Sequence, residues 1–124
     1  NPQLIEDKFV LSPFIENIVV LGENQKFAAA LIVPDFTYLK MWGSRNKIQF
    51  KTLQEAIENE EIKKLFAKLV KKYNLHFGDT EKIKKYELIA DEWSQESGIL
   101  TPTLKVKRNV VQERYKANIE KLFE

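Results

Sequence analysis

The chain has 124 residues, enough for one domain with a core of its own. With 44% hydrophobic and 31% charged residues it is no disordered tail, and no apolar run nears the roughly 20 residues that span a bilayer. A net charge of +2, from 20 basic and 18 acidic residues, argues against a dedicated nucleic-acid binder, and the lack of cysteine excludes disulfides and thiolate metal sites and fits a reducing, cytoplasmic setting.

No signal-peptide pattern is visible. The chain opens at Asn1, without methionine, in sequence that already reads as helix, so it is expected to be a piece of something longer. Asn1 can cap and Pro2 suits the first helical position, and Leu4, Ile5 and Phe9 fall on one face. Ser12-Pro13 ends that helix. Two β-rich runs follow, Ile15 to Leu21 and Phe27 to Val33, joined by Gly22-Glu23-Asn24-Gln25, which predicts a hairpin. Both runs are apolar at nearly every position, so the sheet should be covered on both faces. Asp35 can cap a short helix through Tyr38, Leu39 and Trp42 that ends near Gly43.

A longer helical region begins near Thr52, and Asn59-Glu60-Glu61 can restart it with a cap and an acidic first turn. Ile62, Leu65, Phe66, Leu69, Val70 and Tyr73 then recur at three- and four-residue spacing, with lysines 63, 64, 68, 71 and 72 mainly off that stripe. Asn74 to Thr80 reads as a loop, Tyr86 to Ala90 as a third strand, and Asp91 to Gly98 as irregular. Gly98 to Arg108, GILTPTLKVKR, starts as a loop and ends like a short strand. A last helix starts near Asn109, with Val111, Tyr115, Ile119 and Leu122 on its core face. This order predicts an α+β domain with a small mixed sheet, a hairpin plus a third strand, packed with helices.

Most standard chemistry is missing. The single histidine, His76, lies in a predicted loop and cannot make a metal cluster. The four glycines are scattered, so there is no phosphate loop, and no serine-nucleophile motif is present. Asp91 and Glu92, as neighbours on extended chain, point apart rather than forming a catalytic pair. Trp42 and Trp93 read better as packing residues than as binding platforms. Lys105 and Lys107, taken alone, read as exposed lysines on one face of an edge strand.

GILTPTLKVKRNVV resembles the last core motif of the AMP-forming acyl-CoA synthetases, and most closely that of the long-chain fatty-acid–CoA ligase branch of the adenylate-forming superfamily. NPQLIED resembles the start of that family's C-terminal domain. SPFIENIVVLGENQKFAAALIVPDF resembles the following hairpin, and KYELIADEWSQESG the approach to the final motif. The likeness is weakest from about Gly43 to Gly78.

The resemblance implies that residues 1–124 form the small C-terminal lid domain of a two-domain ligase. The large N-terminal AMP-binding domain, which holds ATP, Mg2+ and the fatty acid, would lie outside this chain, and the chain alone would be inactive. Fatty acid and ATP would give acyl-adenylate and pyrophosphate, and coenzyme A would then displace AMP. The small domain would rotate between these two steps. Lys105 matches the family's catalytic lysine, which stabilises charge on the reacting phosphate. Gly98 and Pro102 would shape its loop. Arg108 would be structural or touch the large domain, and Lys107 would lie near coenzyme A phosphates. No nucleic-acid partner is expected, and peripheral membrane association of the parent enzyme stays open. Two other classes compete on the residues alone: a free-standing module that binds polyanions or protein through its lysines, and a purely structural or oligomerising domain.

Overall fold

Pairing of the two apolar runs builds the sheet. In the computed structural model, which describes residues 1–124, α1 (Pro2–Phe9) leads into β1 (Ile15–Leu21) and β2 (Ala28–Pro34). Next come α2 (Phe36–Asn46), α3 (Leu53–Glu58), α4 (Glu60–Asn74), β3 (Ile83–Leu88), α5 (Arg108–Arg114) and α6 (Lys116–Leu122). β1 and β2 pair antiparallel, with Val20 opposite Ala30, and β3 joins the far side of β2 in parallel. β2 is therefore central, and all seven of its residues are buried.

Alternation along the strands divides the apolar residues between two cores. Ile18, Val20, Ala30 and Ile32 pack with Ile5 and Phe9 of α1, Leu39 of α2, Ala56 of α3 and Ile62 and Phe66 of α4. Val19, Leu21, Ala29, Leu31 and Val33 face the opposite way. They meet Trp93, Ile99 and Leu100 from the segment after β3, Val111 of α5, Leu122 of α6 and Tyr115 between those two helices. The expected α+β class and two-sided cover of the sheet are both observed.

Local chemistry sets most helix starts. Asn1, Asp35, Thr52 and Asn59 each accept a hydrogen bond from a backbone N–H of the helix that follows. Lys63 and Lys64 on α4 pair with Glu60 and Glu61 at 3.5 and 3.7 Å. No helix is long and apolar enough to cross a membrane.

Several expectations need correction. Leu4 is 60% exposed, so the α1 stripe is Ile5 and Phe9 alone. That helix stops at Phe9, before Ser12-Pro13. α2 runs past Gly43 to Asn46, and this glycine serves close packing inside the helix rather than ending it: a Cβ on it would lie 2.6 Å from the Ile48 carbonyl oxygen. β3 starts at Ile83 rather than Tyr86; Lys84 and Lys85 belong to it and face solvent on an edge strand. The short strand expected before Arg108 is one antiparallel bridge, Leu100 to Val106. The last helix is two helices, broken at Tyr115 (φ −109°, ψ 26°).

Candidate functional site

Residues 98–108 form a braced hairpin. Gly98 opens it at φ +82°, a conformation costly for any side chain. Ile99 and Leu100 are buried and root the incoming leg. The Lys107 N–H donates to the Ile99 carbonyl at 2.7 Å, and the Thr101 N–H to the Lys105 carbonyl at 2.8 Å. Between them Pro102-Thr103-Leu104 make a three-residue loop, closed by the Leu104 N–H to the Thr101 carbonyl at 2.8 Å. Proline presets the first turn position. Leu104 takes the left-handed position (φ +65°) that glycine usually fills in such loops. Its side chain is 63% exposed. The Thr101 hydroxyl accepts from the Lys105 N–H at 3.1 Å.

Lys105 leaves this hairpin into solvent and takes part in none of the four ion pairs of the structure. Lys107 is also exposed. Arg108 is not a free surface cation. Its Nη2 lies 2.5 Å from Glu6 Oε2, and its Nη1 donates to the Val20 carbonyl at 3.0 Å. Glu6 Oε2 also accepts from the Val20 N–H at 2.8 Å. Val20 lies on β1, whose outer edge has no strand partner, so a buried carboxylate and a guanidinium satisfy edge groups that a further strand would otherwise pair. Glu6 was not singled out from sequence. It sits on the flank of the Ile5–Phe9 stripe, and its partner is 102 residues away.

The hairpin overhangs a cleft of about 380 Å³ between α1 and β1, lined by Gln3, Asp7, Val10, Glu16 and Leu104, with Lys105 at its side. Glu16 also faces Asp35 and Glu92. A hydrogen bond to Asp35, then partial burial and the repulsion of both carboxylates, raise its pKa above the usual glutamate value. No three metal-ligating side chains converge anywhere in the chain.

Asp91 and Glu92 serve different neighbourhoods, Asp91 beside Tyr115 and Glu92 near Glu16. The Tyr115 hydroxyl donates to Asp91 at 2.6 Å and accepts from the buried Trp93 indole N–H at 3.0 Å. Burial, then the bond to Asp91, pushes the Tyr115 pKa up to about 12. Trp93 is thus core, under the hairpin, while Trp42 is half-buried beside Phe14. His76 is exposed in the turn after α4.

A sequence profile described as "AMP-binding enzyme C-terminal domain" matches residues 1–124. The chain is 31% identical over 123 residues to the long-chain-fatty-acid–CoA ligase FadD15 of Mycobacterium tuberculosis, covering 98% of this chain and 20% of that protein. It is 32% identical over 127 residues to human long-chain-fatty-acid–CoA ligase 6, covering 98% and 18%. The chain thus spans about a fifth of the length of these curated relatives. Among solved structures, it superposes on the A domain of carboxylic acid reductase from Segniliparus rugosus, in complex with AMP and a co-purified carboxylic acid, with a TM-score of 0.74. That match has 22% identity and covers 98% of this chain and 18% of that one. The adenylation domain of the carboxylate reductase from Mycobacterium chelonae gives a TM-score of 0.73 at 18% identity, covering 98% and 17%. Both structural matches bear on fold alone. The profile, spanning every residue from the first helix through the lysine hairpin, makes this chain a member of the AMP-binding enzyme C-terminal domain family.

Proposed function

We propose that this chain is the mobile C-terminal domain of an ATP-dependent, AMP-forming long-chain fatty-acid–CoA ligase, and that Lys105 is the cation it brings to the adenylation step. The observation that carries this reading is Lys105 itself: an ammonium without a carboxylate partner, on a hairpin held by its own backbone bonds, within a chain matched end to end by the family profile. Relatives named as long-chain ligases support the substrate class, and the match to the AMP-binding enzyme family profile supports adenylate chemistry.

In the first half-reaction a fatty-acid carboxylate oxygen bonds to the α-phosphorus of ATP while the bond to pyrophosphate breaks. Negative charge gathers on the phosphoryl oxygens, and a preorganised cationic donor there contributes about 3–4 kcal/mol. In the second, the coenzyme A sulfur bonds to the acyl carbon and AMP leaves. That step needs no cation on the phosphate, so a lysine carried by a moving domain can enter for one half and withdraw for the other. ATP and Mg2+ would be held mainly by the large N-terminal domain, the chief partner of this chain. This chain offers one lysine to the nucleotide and no converging set of metal ligands. Lys107, exposed near the end of the hairpin, would meet coenzyme A phosphates. The chain alone would have no activity, and its lack of cysteine suits a cytoplasmic parent enzyme.

The test is fatty-acid-dependent ATP–pyrophosphate exchange by the full ligase. Lys105→Ala should lower it by about 10²–10³-fold, the rate equivalent of that donor. Exchange within a few-fold of wild type would refute the assignment.

A further inference from the structure

Lys105 can act on a phosphate only if its hairpin is held to a fraction of an ångström relative to the rest of the domain. Ile99 and Leu100 root the incoming leg in the core, but the hydrogen bonds of residues 98–107 do not fix the outgoing leg that carries Lys105, because all of them stay within residues 94–111. The helix that follows does not fix it either, since α5 starts without a side-chain cap. The hydrogen-bonded tie to the β1 edge and α1 comes at Arg108, three residues after Lys105, and runs through one carboxylate. Glu6 Oε2 receives Arg108 on one side and the Val20 N–H on the other. Glu6 is 8% exposed, so neither contact competes freely with water.

We infer that Glu6 is a positioning residue for Lys105: by holding Arg108 against the edge of β1, it sets where the lysine hairpin stands on the domain. This rests on the role proposed for Lys105 and adds a residue at the other end of the chain. A merely structural ion pair would cost stability and slow both half-reactions together. A positioning pair selects the half-reaction that uses Lys105.

The experiment is a double-mutant cycle in the full ligase. Glu6→Gln is made with Lys105 present and with Lys105→Ala, and ATP–pyrophosphate exchange, thioester formation from supplied acyl-adenylate and the thermal midpoint are measured for each. Glu6→Gln should lower exchange about 10–100-fold, leave thioester formation within twofold, and cause no further loss in the Lys105→Ala background. Equal loss in both half-reactions, the same loss with and without Lys105, or exchange within twofold of wild type would each overturn the inference. If Lys105→Ala alone leaves exchange intact, the role of Lys105 itself fails, and this shows before any Glu6 variant is compared. Should Glu6→Gln not fold, Arg108→Lys takes its place in the same cycle; it keeps the charge but loses the two-way donation to Glu6 and Val20, and the same outcomes decide.

Discussion

Removing the Tyr115 hydroxyl tests the packing beneath the lysine hairpin. Tyr115→Phe keeps the ring in its pocket against Trp93 and deletes two hydrogen bonds at once. The Trp93 indole N–H, in a residue only 4% exposed, loses its acceptor, and an unpaired buried donor costs about 1–3 kcal/mol. The charge-assisted bond to Asp91 adds only about 1 kcal/mol, less than the usual roughly 1.5–3, because Asp91 is exposed and regains water. The sum is about 2–4 kcal/mol, which for a domain of this size lowers the thermal midpoint by about 6–20 °C. Urea unfolding of the 124-residue chain measures it directly. The pH dependence supplies a second readout. The folded pKa of about 12 lies above the ordinary tyrosine value of 10, so the folded chain holds this proton more tightly than the unfolded one. The resulting stability is complete below pH 10 and lost as pH rises towards 12. A shift of two units corresponds to about 2.7 kcal/mol at full strength, and solvent screening of Asp91 reduces it to about 1–2. Tyr115→Phe should lack that alkaline loss. A variant within 0.5 kcal/mol of wild type, with an unchanged slope above pH 10, would refute the network.

Glu16→Gln should stabilise the chain at pH 7. The folded pKa of Glu16 is raised, so its contribution is present below the unfolded value and disappears as pH rises through the folded one; the glutamine variant should flatten that segment of the stability–pH curve. Two glycine-to-alanine variants should separate backbone strain from lack of space. Gly98→Ala meets only Arg114 Nη2, at 3.9 Å, so its cost of about 1–2 kcal/mol comes from positive φ alone. Gly43→Ala must push the Ile48 carbonyl away from 2.6 Å at unstrained φ, and should cost about 1–3 kcal/mol while also displacing the 47–50 turn. Chemical denaturation compares all three.

Some parts of this molecule were legible in sequence because their causes are local. The α4 stripe, its Asn59 cap and the two apolar strand runs each declare themselves within a few residues. Other parts depend on distant partners. Lys84 and Lys85, just before the expected strand, carry no strand signal because they are polar, yet the parallel edge pairing to β2 makes them strand. Nothing near Tyr115 signals a break, since no glycine or proline lies there; the helix parts where the tyrosine reaches Trp93 and Asp91. Leu104 at positive φ defies its residue type, because the hairpin geometry overrides propensity. At the site, residue chemistry alone left Lys105 an exposed lysine, and the family motif singled it out. Glu6 could not be reached either way: its burial follows from a β1 edge and an arginine that only the fold brings to it.

The most direct measurement supplies preformed acyl-adenylate and coenzyme A to the full ligase carrying Lys105→Ala and follows thioester formation in a single turnover. If the lysine serves the phosphate step alone, this variant should form thioester within a few-fold of wild type while its acyl-adenylate synthesis from ATP is nearly abolished. Comparable loss in the two reactions would mean that Lys105 supports the enzyme in some general way and is not the cation of adenylation.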